Sequence, residues 1–303
     1  MHAQPGIFAV GTTEHCYLEL DLDVGHAPVE LVTALAGLCG PASPVGVGVV
    51  VALRPELWSA IAPGEGPSDA RSFTEIRGPQ VTMPSTQHDA WVWIAGGSRD
   101  AVFDATLAVL ARLGGIAIAA SEITGWVYRH DRDLTGFIDG TENPSTLVAP
   151  PVAIIDAGAA AGSGVVLVQR WRHAATWEAL PVDAQERVIG RTKLDSVELD
   201  ESAMPADSHV ARNVITEDGT ELKIFRRNTA YGGPTEHGTL FVGFCRELRI
   251  LELMLRSMAG VDDGVRDALT RYAEALTGGS YVAPSLESLA RFVAEPDEAS
   301  ARG

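Results

Sequence analysis

The amino-acid sequence predicts an α+β protein made of two ferredoxin-like halves, with antiparallel sheets packed together and helices outside. Two observations lead to this prediction. Segments with the two-residue period of strands and segments with the helical period follow one another in the order β-α-β-β-α-β. After a stretch rich in Pro, Ala and Gly at residues 148–164, a similar order begins again. We therefore place the boundary near Pro150, with halves at residues 1–150 and 151–303.

The first half opens with a strand at residues 17–24, where leucines alternate with acids and Val24 completes the apolar face. Pro28 then begins a helical pattern that is expected to end near Gly40 and Pro41. The later elements of this half are a β-branched strand at 45–53, a loop at 63–86, a strand at 91–95, a helix at 100–113 and a strand at 116–128.

The second half repeats this organisation without a repeat at the level of residues. Its most distinctive element is an amphipathic helix at residues 247–258, which has one continuous apolar face. The polar segment at residues 295–303 is expected to fray. The other elements predicted in this half are strands at 164–171, 222–226 and 239–245 and a short helix at 182–189.

The charge of the chain excludes several classes of partner. The 303 residues carry a formal net charge of -17. Such a field repels phosphate backbones and anionic membrane surfaces, so neither nucleic acid nor a membrane is expected as a partner. The three cysteines are widely spaced and lie in apolar surroundings, as is typical of small core residues in a reducing compartment. A basic, apolar leader pattern is not seen at the N-terminus, and a cytoplasmic location is the expectation.

One motif, GFIDGTENP at residues 136–144, admits two interpretations. Asp-Gly and Asn-Pro are turn signals, and in that interpretation Asp139 accepts hydrogen bonds from its own loop. In the other interpretation, an acid beside Phe137 and Ile138 has a raised pKa that suits it to proton transfer. The motif alone leaves both open.

Two basic segments raise the same kind of question. Arg226, Arg227 and Asn228 come at the end of a predicted strand and before a Gly-rich turn. They are either surface charges or groups that polarise a small oxygen-containing ligand. Arg191 and Lys193 follow a helix end, where cations are favourable in any case; the functional alternative is an anion clamp.

The spacing of the histidines along the chain does not indicate a multi-histidine metal site. None of the eight belongs to an HExxH or other paired-His motif, which argues against zinc or copper. A haem iron requires only one protein ligand, however, so spacing does not exclude haem.

Taken together, four segments resemble the dye-decolorizing peroxidases, and most closely their bacterial B-type branch. They are GFIDGTENP at 136–144, VIGRTK at 188–193, the histidine of DSHVARN at 207–213, and RRN at 226–228 before a Tyr-Gly turn. The order of elements extends the resemblance over nearly the whole chain. The resemblance implies a fold of the dimeric α/β-barrel type and one haem b per chain, bound by the C-terminal half.

The resemblance also implies a role for individual residues. His209 matches the proximal ligand of the iron, and Arg191 matches a residue that pairs with a haem propionate. Asp139, Arg226 and Asn228 are the expected catalytic residues on the distal face. Glu274 is our candidate for the acid that orients His209 from behind. The remaining residues expected to contact the cofactor come from the motif itself: Ile138, Gly140, Thr141 and Glu142.

The activity implied is the reduction of hydrogen peroxide through a high-valent iron-oxo intermediate, with oxidation of dyes, phenolics or other one-electron donors. Electrons from bulky donors would travel through Trp or Tyr side chains. A homo-oligomer is expected, whereas loading into an encapsulin shell is not, because the C-terminal residues do not resemble a targeting peptide. Thr229 and Ala230 depart from the usual Asn-Met-Pro of the family. Two alternatives remain, a haem-handling protein with incidental peroxidase activity and a haem-free ferredoxin-like binding module.

Overall fold

The computed structural model describes residues 1–39 and 46–293. The expected helix end at Gly40 and Pro41, the first residue of the predicted strand at 45–53 and the polar segment at 295–303 lie outside the described residues. Within the described ranges, no helix combines the length and apolar character that a membrane-spanning segment requires.

Fourteen strands and eight α-helices make up the described part of the chain. The strands are β1 (Glu14–Leu22), β2 (Gly48–Leu53), β3 (Ile76–Arg77), β4 (Thr82–Met83), β5 (Ala90–Gly96), β6 (Ala117–Trp126), β7 (Gly164–His173), β8 (Ile215–Glu217), β9 (Thr220–Leu222), β10 (Phe225–Arg226), β11 (Thr229–Gly232), β12 (His237–Cys245), β13 (Ala273–Ala275) and β14 (Gly279–Ala283). The helices are α1 (Pro28–Ala36), α2 (Pro55–Ile61), α3 (Arg99–Leu113), α4 (Pro150–Ala153), α5 (Val182–Ile189), α6 (His209–Asn213), α7 (Leu248–Ala259) and α8 (Leu286–Ala290).

The strands of both halves join in one antiparallel sheet that closes on itself. Going round the ring, the order is β1, β5, β2, β14, β7, β12, β11 and β6, which pairs again with β1. Two pairings link the halves: Leu53 of β2 lies opposite Val282 of β14, and Trp126 of β6 lies opposite Ala230 of β11. The predicted α+β class with antiparallel sheets is confirmed, and the halves are joined edge to edge through hydrogen bonds.

Two faces of the sheet carry different cores. Tyr17, Trp91, Trp93 and Phe244 fill the inside of the ring, where their rings pack about 6 Å apart. On the outside, α1 and α3 cover β1 and β5, while α7 covers the strands of the second half. The amphipathic pattern predicted at residues 247–258 corresponds to α7, which buries Leu251, Leu255 and their apolar neighbours against β7 and β12.

Several predicted elements differ from the observed ones in their bounds. The first strand occupies Glu14–Leu22, so that Val24 lies beyond its end and is fully exposed. The segment predicted as one strand at 222–226 is divided between β9 and β10. The short strands β11, β13 and β14 were not predicted, because three to five residues carry too little periodicity to identify a strand.

Candidate active site

The loop that carries Asp139 is a tight hairpin. Its two sides meet at an isolated bridge between Arg132 and Ile138. Gly136 and Gly140 adopt φ values of +89° and +76°, which side chains with a Cβ rarely tolerate. The Arg132 guanidinium donates to the carbonyl oxygen of Gly136 at 2.7 Å and also to two carbonyls of the 193–194 segment. The glycines of the motif therefore permit the turn, and Arg132 fixes it.

Asn143, which sequence reasoning assigned to a turn, connects this loop to Arg226. Its side-chain Nδ2 donates to the carbonyl oxygen of Arg226 at 2.9 Å, and its Oδ1 accepts from the Arg226 backbone N–H at 2.8 Å. One amide thus satisfies both backbone groups of a residue far away in sequence. As a result, the loop that carries Asp139 is held in a fixed position relative to the strand that carries Arg226.

Asp139 lies against a cation, an amide and a second acid. Burial raises the pKa of Asp139, the Arg226 guanidinium lowers it, and the nearby Asp133 carboxylate raises it again; the net shift is upward. Asn228 uses its Oδ1 to accept from the backbone N–H of Val242 at 3.1 Å, and its side chain is near enough to Asp139 to lower the pKa of that carboxyl. Arg226 Nε is buried and has no hydrogen-bond partner in the described structure. Asp139 can therefore hold a proton at a higher pH than an ordinary aspartate.

His209 is the first residue of α6, with Ser208 as the N-cap. Its Nδ1 lies 2.6 Å from Oδ2 of Asp267, a side chain with no exposed surface. The backbone N–H of Leu269 donates to the other Asp267 oxygen at 2.8 Å. Burial lowers the pKa of His209, but the Asp267 carboxylate outweighs burial and raises it. The ring is thus held by Nδ1, and Nε2 remains to act as a ligand.

Our sequence-based candidate for this acid, Glu274, is wrong. Glu274 is the middle residue of β13, and its carboxylate is largely exposed and accepts from Arg172 at the surface. Asp267 occupies the position behind His209 instead. Sequence reasoning missed it because the two residues lie on separate elements, and a single acid before a short 3-10 helix has no distinctive spacing.

All nine residues predicted for the site line one cavity between the hairpin loop, α6, α7 and the outer face of β7 and β12. The rest of this cavity is lined mainly by apolar side chains, which include Leu167, Trp171, Phe241, Leu251 and Met254. The predicted residues are Ile138, Asp139, Gly140, Thr141, Glu142, Arg191, His209, Arg226 and Asn228.

The Arg191 guanidinium is buried, and its partners are two carboxylates. It donates to Glu142 at 2.8 Å, to Glu198 at 2.9 Å and to the carbonyl oxygen of Ser196 at 2.9 Å. Both glutamate side chains are about half exposed, at 53% and 51%. Because an arginine fork is suited to carboxylates, Arg191 can exchange one of these mobile partners for another carboxylate at the mouth of the cavity. Lys193, by contrast, is tied to Gln185 at 2.6 Å.

A second cavity leads from the surface to the same place. It is bordered by residues 9–12, 126–128 and 143–146 and reaches Asp139 and Arg226. A small solute therefore has a polar route to these two side chains that does not pass through the apolar cavity.

Asp267→Asn is expected to weaken the binding of a metal cofactor that has His209 as its ligand. The amide can still accept a hydrogen bond but loses the charge that makes the imidazole more basic, and such changes typically cost about 10- to 100-fold in affinity or activity. Cofactor titration of the purified variant measures the loss. Glu274→Gln, which removes an exposed acid, is the matched control and should behave as wild type. Equal effects of the two changes would contradict the assignment of Asp267.

Comparison with known proteins identifies the chain. Residues 29–127 match the model of the family described as "Dyp-type peroxidase, N-terminal", and residues 130–288 match "Dyp-type peroxidase, C-terminal". A "Dye-decolorizing peroxidase" from Mycobacterium tuberculosis is 41% identical over 250 residues, which cover 80% of this chain and 75% of that protein.

Solved structures agree with the sequence matches. A dye-decolorizing protein from V. cholerae superposes with a TM-score of 0.87 at 35% identity, and covers 95% of this chain and 99% of its own. A variant of DypB from Rhodococcus jostii RHA1, solved in complex with heme, has a TM-score of 0.86 at 32% identity and covers 92% of this chain and 94% of its own. These findings make the chain a peroxidase. It belongs to the Dyp-type peroxidase family, and its likeness to DypB agrees with the B-type branch.

Proposed function

We propose that this protein is a haem-dependent peroxidase that reduces hydrogen peroxide and oxidises dyes, phenolics or other one-electron donors. One observation carries the proposal: a histidine backed by a buried carboxylate and an Asp-Arg-Asn group converge on the same apolar cavity. The related structures that contain heme support haem b as the cofactor.

The residues of the cavity fit a haem group. His209 offers Nε2 while Asp267 holds Nδ1, as expected for an imidazole that ligates a haem iron. Arg191 already pairs with two carboxylates, and a haem propionate is also a carboxylate. In this assignment His209 would ligate the iron, Arg191 would pair with a propionate, and Ile138, Gly140, Thr141 and Glu142 would contact the porphyrin. The haem would supply the iron and the electrons needed to cleave the O–O bond of peroxide.

The distal residues handle the proton and the developing charge. Asp139 takes a proton from the inner oxygen of peroxide and delivers it to the outer oxygen, directly or through a water. The Arg226 guanidinium stabilises the negative charge that forms on the departing oxygen. Asn228 orients Asp139 through its side chain, and the Asn143 amide keeps Arg226 at this position.

Stopped-flow spectroscopy of the haem-loaded protein tests the function. With equimolar peroxide, we expect a rapid loss of Soret absorbance followed by its recovery when an electron donor is added. Haem-loaded protein that leaves both peroxide and donors unchanged would refute the proposal. The comparisons do not favour a haem-handling protein or a haem-free module, because the relatives that they identify are peroxidases.

The remaining assignments are also proposals. The junction of the two family models at residues 128–129 supports a division into two halves, which we place near Pro150. Three free cysteines among the described residues suit a reducing, cytoplasmic location. Phe103, Leu107 and Ile118 are each more than half exposed and offer apolar area to a second copy. Light scattering that shows a monomer at every concentration would contradict self-association.

A further inference from the structure

A second acid, Asp133, lies where the two cavities of the active site meet. Six residues line both cavities: Asp133, Asp139, Gly140, Arg226, Asn228 and Thr239. The proposed chemistry uses Asp139, Arg226 and Asn228 but gives no role to Asp133 or Thr239. A partly buried carboxylate, 18% exposed, affects a neighbouring proton-transferring acid through its charge. The position of Asp133 therefore requires an explanation.

Asp133 is held from two directions. Its Oδ1 accepts from the backbone N–H of Thr135 at 2.7 Å within the hairpin loop. Its Oδ2 accepts from the hydroxyl of Thr239 on β12. Thr239 in turn lies 3.1 Å from Nε2 of His173 at the end of β7. The loop that carries Asp139 is therefore tied through one side chain to two neighbouring strands of the ring.

The direction of these hydrogen bonds follows from the donors available. The Thr239 hydroxyl has one hydrogen, which it donates to Asp133, so its oxygen must accept from His173 Nε2–H. Nδ1 of His173 is buried and has no partner in the described part of the chain. Burial lowers the pKa of His173, Asp133 raises it and His237 lowers it, with a net downward shift. His173 is thus a neutral donor at neutral pH, and the charge of Asp133 is not cancelled by it.

We propose that Asp133 is a positioning residue of the distal site: anchored by Thr239 and His173, it fixes the Asp139 loop, and its negative charge makes the Asp139 carboxylate a stronger acceptor for the proton that it takes from peroxide. The proposal rests on the role proposed above for Asp139. It adds a group whose effect on peroxide is exerted through Asp139.

The charges around Asp139 make this role specific. Arg226 faces Asp139 from β10, and His209 faces it from α6 across the cavity. The Arg226 guanidinium favours loss of the proton from Asp139, whereas His209, as an iron ligand, is neutral and adds no positive charge. Asp133 is the neighbouring charge of opposite effect to Arg226. Without Asp133, the charge of Arg226 alone would act on Asp139, and its ionised form would predominate at lower pH.

Infrared titration of the haem-loaded protein measures the proton on Asp139 directly. The C=O stretch of the protonated carboxyl is assigned by its loss in Asp139→Asn. In Asp133→Asn, we expect the pH midpoint of this band to fall by about one pH unit. Asp131→Asn removes an exposed acid from the same loop and should leave the midpoint unchanged. An unchanged midpoint in Asp133→Asn, or equal shifts in both variants, would overturn the proposal even if the protein is a peroxidase.

A second variant separates the charge from the anchor. Thr239→Val removes the hydroxyl that holds Asp133 but keeps the carboxylate, so the midpoint should move less than in Asp133→Asn while the rate constant for peroxide falls. If Asp133→Asn does not fold, Asp133→Ser replaces it, since a serine hydroxyl can still accept from the Thr135 N–H. A larger midpoint shift in Thr239→Val than in the Asp133 variant would show that packing, not charge, controls Asp139.

Discussion

His209→Ala protein, purified and mixed with hemin, is expected to lack the Soret band of ligated haem and to have no measurable peroxidase activity. Among the described residues that line the cavity, only His209 has an imidazole Nδ1 held by a buried carboxylate, and alanine offers no replacement ligand. The change also leaves the Asp267 carboxylate buried beside a space that the ring filled.

Two controls distinguish loss of the ligand from loss of the fold. His26→Ala removes an imidazole that is paired with Glu30 on α1, remote from the cavity, and should leave the spectrum unchanged. Added imidazole should enter the space in His209→Ala and restore part of the Soret band. If His209→Ala binds haem and turns over peroxide like wild type, another residue is the ligand.

Arg226→Ala is expected to lower the second-order rate constant for peroxide by about 10²- to 10³-fold, the usual effect of removing one charge-stabilising donor. The Asn143 amide contacts only backbone atoms of Arg226, so this connection survives the substitution. The defect should therefore lie in chemistry and not in the position of the loop. Haem affinity and melting temperature, measured beside the stopped-flow rate, should change little.

The separate contributions of Arg226 and Asp139 to the rate of the reaction with peroxide are determined from both single variants and the double variant. Asp139→Asn is expected to cost about 10²- to 10⁴-fold, as is typical for loss of a general acid-base group. If the double variant is only as slow as the slower single variant, the two side chains act in one step. Arg172→Ala, which removes a surface arginine paired with Glu274, serves as the matched control. A wild-type rate in Arg226→Ala would exclude the role proposed for its guanidinium.

Local sequence identified candidate residues but left their roles open. The GFIDGTENP motif drew attention to Asp139, and the Arg-Arg-Asn segment drew attention to Arg226 and Asn228. The resemblance to a family then favoured a catalytic role over a turn or a surface charge. The residues that hold them were not found. Asn143 meets Arg226 through the backbone, and Asp267 meets His209 from a different element. Neither connection leaves a periodic or local signal, since both arise only when distant segments pack together.

The same limit applied to the fold. Alternation and amphipathicity predicted the order of elements and the apolar faces of β1 and α7, because each is a property of one segment. The closure of the ring depends on which edges meet, and the short strand β14 that meets β2 has almost no pattern of its own. Only the packed structure determines this pairing.

Ring closure also has a consequence for how the protein is made. β2 pairs with β14, so an early strand stays unpaired on this edge until a strand much later in the chain has been synthesised. Contacts between segments so far apart form slowly, because a long loop must be closed before the contact stabilises it. Until then β2 and β7, the partners of β14, have open edges that can associate with other chains. A nascent chain that stops before Gly279 is therefore expected to be prone to aggregation, because these edges stay unpaired.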